Sequence, residues 1–187
     1  GMTLQDLSVA FENSEVKAFA APTVKAIRVP EGASFSRSRL DALTEKAKGL
    51  GAKGLAWFRI TSEGLDSPLD RFLNDAERAA IRNVDGANEG DLVLVVADEY
   101  VLACKVLGAL RVEIGAPPVS QGPHRYLWVT EFPMYEGLDE DGNPIPAHHP
   151  FTMPHVDDLD LMDSDPLKVR SQAYDLVLNG WELGSGS

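Results

Sequence analysis

The sequence predicts an α+β protein, and three observations predict it. Residues 1–113 interleave apolar strand-like runs with amphipathic helical stretches in irregular order. Residues 114–125 form a linker by composition, Gly115-Ala-Pro-Pro-Val-Ser-Gln-Gly-Pro123, with almost nothing to bury. Residues 126–187 then change texture, with short extended segments set between turns and little helical periodicity. The expectation is a mixed α/β domain of about 110 residues, a linker and a smaller strand-and-turn segment.

Val16-Lys-Ala-Phe and Val24-Lys-Ala-Ile-Arg-Val alternate and predict two short strands before Pro30. Ser36 or Ser38 starts a helix, because Leu40, Leu43, Ala47 and Leu50 share one stripe and Gly51 closes it. Leu55–Thr61 reads as a strand. Ser67-Pro68 supplies a cap and an N1 proline for a short helix over Leu69–Leu73. Asp75 caps a second helix through Asn83, which Asp85-Gly86 ends. Asp91–Ala97 is a buried strand. Residues 98–113 form a helix with Val101, Ala103, Cys104, Leu107 and Leu110 on or near one face. Trp57, Phe58 and Cys104 read as core, and no neighbouring His suggests a reactive thiol. Beyond the linker, Tyr126–Met134 reads as a strand, 137–146 as acidic turns, 149–165 as aperiodic, Lys168–Leu178 as helix passing into strand, and Trp181–Ser187 as extended. This last segment has too little apolar material for a core of its own. Its strands are expected to pair with the first domain or with another copy.

Composition narrows the function. The chain is 44% apolar and 25% charged, ordinary for a soluble globular protein. No apolar run reaches the roughly 20 residues that span a bilayer, and no signal peptide is visible. A single cysteine forms no internal disulfide, which fits the cytoplasm. The net charge of −12 is uneven: residues 1–110 hold 16 acids and 13 bases, and residues 111–187 hold 13 acids and 4 bases. An acidic surface repels phosphate, so the chain alone is expected not to bind RNA strongly.

Three strings carry chemistry: Leu127-Trp-Val-Thr-Glu-Phe-Pro-Met, His148-His-Pro-Phe-Thr-Met-Pro, and Tyr174-Asp-Leu-Val-Leu-Asn-Gly-Trp-Glu-Leu-Gly-Ser-Gly-Ser. Two adjacent histidines alone are usually a loop accident. A lone Glu182 is usually a solvated carboxylate. Together and in this order, the strings resemble the class II catalytic core of bacterial aspartyl-tRNA synthetases. Residues 1–113 resemble the GAD domain inserted in that core, through Phe11-Glu-Asn-Ser-Glu-Val-Lys-Ala-Phe and Gly54-Leu-Ala-Trp-Phe.

The resemblance implies a GAD-like domain followed by an incomplete antiparallel-sheet catalytic piece that stops before motif 3. It implies that His148 and His149 bind L-aspartate and that Glu182 binds ATP, through Mg²⁺. It implies that the glycines after Glu182 let substrates approach closely, with Ser185 where a glycine is expected. It also implies a homodimeric parent acting on tRNA(Asp), and a segment inactive by itself.

The residues suit these roles. Glu182 is a hard ligand beside glycines, fitted to Mg²⁺ and phosphate, and an imidazole can donate to an anionic substrate. A metal site from His148, His149, His155 and Asp157 is disfavoured, because neighbours in an extended chain point to opposite sides. The competing reading is a non-catalytic GAD module that binds tRNA or a protein partner.

Overall fold

The computed structural model describes residues 2–116 and 123–187. The chain forms two compact units, Gly1–Ala116 and Pro117–Ser187. Residues 117–122, half of the expected linker, lie outside the described residues.

The first unit contains, in order, β1 (Gln5–Asp6), α1 (Ser8–Phe11), β2 (Thr23–Val29), α2 (Arg37–Gly49), β3 (Ala56–Thr61), β4 (Gly64–Asp66), α3 (Asp75–Arg82), β5 (Leu92–Asp98) and α4 (Tyr100–Gly115). Its sheet has the order β1-β2-β5-β3-β4, and every pairing is antiparallel. Strands β2 and β5 lie at its centre, from Thr23 opposite Asp98 to Val29 opposite Leu92. Both faces of these two strands are covered, which is why β5 reads as a nearly continuous apolar run, while β2 keeps Lys25 and Arg28 among its apolar residues. On one face Ile27, Val29, Leu92, Leu94 and Val96 pack against Leu40, Leu43 and Ala47 of α2 and Ala103, Val106, Leu107 and Leu110 of α4. On the other, Ala26, Phe58, Val93 and Val95 pack with Phe11, Phe19 and Ile81.

Several boundaries differ from the sequence reading, each for a local reason. Lys17–Phe19 is a 3₁₀ turn and not a strand, and it buries Phe19. The helix α2 is capped by Ser36, whose Oγ accepts from the N–H of Arg39, and Gly51 beyond it takes φ 107°. Asn74, not Asp75, caps α3. Its side chain accepts from the N–H of Glu77 at 2.9 Å while Glu77 accepts from the N–H of Asn74 at 2.9 Å. The turn after Ser67-Pro68 is 3₁₀, over Asp70–Phe72. In α4 Val101 is 76% exposed, Cys104 is half-buried and Val106 joins the core, so the buried stripe is shifted from the expected one. Phe58 is fully buried, whereas Trp57 lies half-buried at the core margin, flanked by the guanidinium groups of Arg37 and Arg59.

The second unit contains β6 (Tyr126–Val129), β7 (Tyr135–Leu138), β8 (Pro144–Pro146), β9 (Tyr174–Leu178) and β10 (Trp181–Gly186). The turn-rich stretch after Tyr135 is a hairpin, β7 with β8. Strands β6, β9 and β10 form an antiparallel sheet of order β10-β9-β6. This corrects the expected pairing, because these strands satisfy their backbones with one another. Asn179 (φ 50°) and Gly180 (φ 88°) make the two-residue turn between β9 and β10. Both central residues need positive φ in such a turn, and Asn-Gly supplies it at least cost. Lys168 sits in a 3₁₀ turn, Pro166–Lys168. The poverty of the core is as expected. Among the described residues of this unit Val169 is the buried apolar side chain, alongside buried Thr152, Asp158 and Ser171.

Candidate functional site on the second unit

The register of the small sheet decides which side chains meet. Directly paired residues of an antiparallel sheet point to the same side. Leu127 pairs with Val177 and Val129 with Asp175, while Glu182 pairs with Val177 and Ser185 with Asp175. One face therefore carries Leu127, Val129, Asp175, Val177, Glu182 and Ser185. The other carries Tyr126, Trp128, Tyr174, Leu176, Leu178 and Trp181 with Gly184 and Gly186. Trp128 and Tyr174 meet edge to face there at 5.5 Å. A side chain at Gly186 would collide with the Tyr174 ring, 2.7 Å from its Cζ.

Glu182 and Asp175 lie diagonally across two adjacent strands. Such a diagonal separates Cα atoms by about 7–8 Å, close enough for two carboxylates to flank one cation. Glu182 is exposed and Asp175 half-buried. Sequence reading passed over Asp175. Its signal was the Asn179-Gly180 turn, which fixes the hairpin register and so folds Asp175 onto the face of Glu182. The same register places Ser185 beside Asp175 and turns Gly184 and Gly186 away from it.

The histidines occupy a loop tied at both ends: Ala147 donates its N–H to the carbonyl of Met134 at 3.0 Å, and the carbonyl of Met153 accepts from the N–H of Gln172 at 2.8 Å. Within it, Thr152 donates its N–H to the carbonyl of His149 at 2.8 Å. His148 is half-buried and packs edge to face on Phe132 at 5.6 Å, and its Nε2 is enclosed with no hydrogen-bond partner. An enclosed, unpaired imidazole nitrogen is costly unless a ligand completes it. His149 is exposed, with its ring against Phe151 at 4.8 Å. Its Nδ1 accepts a long bond from the N–H of Phe151. His155 caps the following 3₁₀ turn, Val156–Leu161, through Nδ1. Among the described residues no three His, Cys, Asp or Glu side chains converge on one point.

Asp158 and Arg170 form a bidentate ion pair in this unit. Arg170 donates Nε to Asp158 Oδ2 at 2.8 Å, Nη2 to Oδ1 at 2.8 Å and its backbone N–H to Oδ2 at 2.9 Å. Its Nη1 reaches Glu131 Oε1 at 3.1 Å. The guanidinium fork, and then the backbone N–H, hold the Asp158 carboxyl far below the usual carboxylate range. The same pairing drives Arg170 up.

A cleft of about 500 Å³ opens among Trp128, Glu131, His155, Gln172 and Tyr174. Trp128 and Tyr174 place it on the face opposite Glu182. It contains neither His148 nor Asp175.

Comparisons with known proteins bear on both units. The GAD domain family matches residues 12–107. The whole chain is 44% identical to the aspartate–tRNA ligase of Geobacillus kaustophilus, of which it covers 33%. It is likewise 44% identical to the aspartate–tRNA(Asp/Asn) ligase of Nitratidesulfovibrio vulgaris, covering 31%. It is 42% identical to the aspartate–tRNA ligase of Lysinibacillus sphaericus, covering 33%. The chain thus spans about a third of the length of the curated relatives it matches. With the family match spanning its central sheet and the helices around it, the chain belongs to the GAD domain family.

Proposed function

We propose that the chain is a part of an aspartate–tRNA ligase, and that its second unit contributes one wall of the amino-acid activation site. The observation that carries this reading is the similarity over the whole chain, both units included, to an aspartate–tRNA ligase and an aspartate–tRNA(Asp/Asn) ligase. The face bearing Asp175 and Glu182 supports it chemically. In the activity proposed, an aspartate carboxylate attacks the α-phosphate of ATP and pyrophosphate leaves; a hydroxyl of the terminal adenosine of tRNA then attacks the aspartyl carbonyl of the adenylate, and AMP leaves.

The donor set fits Mg²⁺. This ion keeps several waters and takes one or two protein carboxylates besides substrate phosphate oxygens. Asp175 and Glu182 are such a pair, and among the described residues no third acid or imidazole converges with them. Bound there, the ion would neutralise phosphate charge. The protein's part is positional. His148 presents an unpaired nitrogen to the aspartate side chain, with His149 beside it. Ser185, in place of a glycine, offers a hydroxyl on the face of Asp175. Activation of this kind relies on orientation and charge placement more than on a protein nucleophile.

The exposed Tyr126, Trp128 and Trp181 are 61%, 61% and 65% exposed. A three-stranded sheet with so much apolar surface is what a larger catalytic sheet presents when considered in part. Class II architecture, a homodimeric parent and a cytoplasmic setting belong to the same reading. None of the helices is long and apolar enough to cross a membrane among the described residues.

The test is aspartate-dependent ATP–pyrophosphate exchange by the full-length polypeptide that carries this sequence. Exchange is expected with aspartate and at background with asparagine. Absence of exchange under conditions where the protein is folded would remove the reading. The accessory-module alternative has the GAD family match in its favour. Tight, specific retention of tRNA by residues 1–116 alone, in a gel at low salt, would favour it.

A further inference from the structure

Arg170 is one of four basic residues in 111–187, and it stands at a junction of three backbone segments. Its carbonyl accepts from the N–H of His155 at 2.7 Å, and its N–H donates to Asp158. It bridges to Pro133, and its neighbour Ser171 bridges to Pro154. Around it, Ser171 N–H donates to the carbonyl of Phe132, Gln172 N–H to that of Met153, and Met134 N–H to that of Val169. The segment 169–172 is thereby laced on one side to 132–134 and on the other to 153–155.

These two laced segments are the ones that hold the histidine loop. Phe132 carries the His148 ring, Met134 holds Ala147, and Met153 follows Thr152. Four residues after Arg170 the chain enters β9, which carries Asp175. Arg170 therefore joins the loop with His148 to the strand with Asp175. Its other side-chain partner, Glu131, lies two residues beyond β6 in a left-handed conformation, φ 59°. A non-glycine residue there is strained and persists only when its surroundings hold it. The Arg170 guanidinium supplies that hold.

We propose that Arg170, clamped by Asp158 and Glu131, is a positioning residue that sets the distance between the aspartate-binding histidine loop and the carboxylate pair on the β9–β10 hairpin. The inference rests on the proposed activation site. Arg170 touches no substrate in it. The fork geometry matters as much as the charge, because only a guanidinium can meet both Asp158 oxygens and Glu131 together.

The experiment compares Arg170→Lys and Asp158→Asn with wild type in the full-length polypeptide, by ATP–pyrophosphate exchange. Misplacing one substrate against another is expected to raise the aspartate KM about tenfold or more and lower kcat, while the ATP KM moves less than about twofold. The thermal midpoint is followed in parallel. Amide exchange of 147–153 and 174–178 is measured on the same samples by mass spectrometry. Faster exchange over 147–153 with 174–178 unchanged supports the clamp even in a variant too unstable for kinetics. Unchanged aspartate KM in folded variants, or uniform loosening of both segments, overturns it. If wild type shows no aspartate-dependent exchange, the activation site itself is wrong. The amide-exchange comparison still judges the clamp in that case.

Discussion

Asp91 shows how a buried carboxylate becomes structural. Burial pushes its pKa up, but the N–H groups of Asn88 and Glu31 and the guanidinium of Arg28 together outweigh that and hold it below the usual range. The contacts are short: 2.8 Å from Asn88, 2.9 Å from Glu31 and 2.7 Å from Arg28 Nε. They fix the left-handed Glu31 at the end of β2 against the start of β5. Replacing Asp91 with Ala leaves these donors unpaired and is expected to lower stability by about 1–3 kcal/mol, measured by urea unfolding. Asp158 gives a pH signature of the same sign. Its folded-state pKa is depressed, so its contribution is fully present above the unfolded value of about 3.9 and is lost as pH falls towards the folded one. The amides of 153–158 are expected to lose protection below about pH 4 in wild type, and Asp158→Asn should lack that acid-dependent step. An identical acid profile in both proteins would contradict the assignment.

At the scale of elements, the Asn74 and Glu77 capping box predicts that Asn74→Ala costs about 1 kcal/mol, seen as a lower unfolding midpoint. Gly32 is stricter, because a Cβ there would lie 2.8 Å from both Leu92 Cβ and Val29 Cγ1. Gly32→Ala should destabilise the first unit by about 1–3 kcal/mol through overpacking. The elements legible in the sequence were those with whole-turn periodicity or full burial. The stripe of Leu40, Leu43 and Ala47 gave α2 its cap and its end, and the run from Leu92 to Val96 announced a strand covered on both faces. The second unit was less legible, because its order comes from pairings between distant residues. No local period marks Glu182 as the neighbour of Val177. The Asn179-Gly180 dipeptide does mark a tight hairpin, and reading it would have brought Asp175 to the side of Glu182. Val16–Phe19 misled for the opposite reason. Its alternation is real, but Phe19 reaches the core from a 3₁₀ turn. The Arg170 junction gave no sequence signal, since a lone arginine in an acidic stretch reads as solvated charge.

At the scale of the whole molecule, the two units differ in how they are held. Residues 2–116 enclose a sheet between two apolar clusters. The second unit relies on hydrogen bonds and the Arg170 clamp, and it displays its aromatic residues to solvent. Residues 1–116 expressed alone are therefore expected to unfold cooperatively. Residues 117–187 alone are expected to show little cooperative transition by calorimetry, because so few apolar groups are removed from water. A sharp transition for the latter would mean that the polar lacing suffices. The chemistry proposed follows the same division, since the second unit contributes His148, His149, Asp175 and Glu182 but only one wall of a site. The measurement that tests this most directly is transfer of labelled aspartate to tRNA, comparing the full-length polypeptide with its Glu182→Gln variant and with residues 1–187 alone. The account predicts aspartyl-tRNA from the full-length protein, a loss of at least about a hundredfold on removing the Glu182 charge, and none from residues 1–187 alone. Full activity in the Glu182→Gln variant, or charging by residues 1–187 alone, would contradict it.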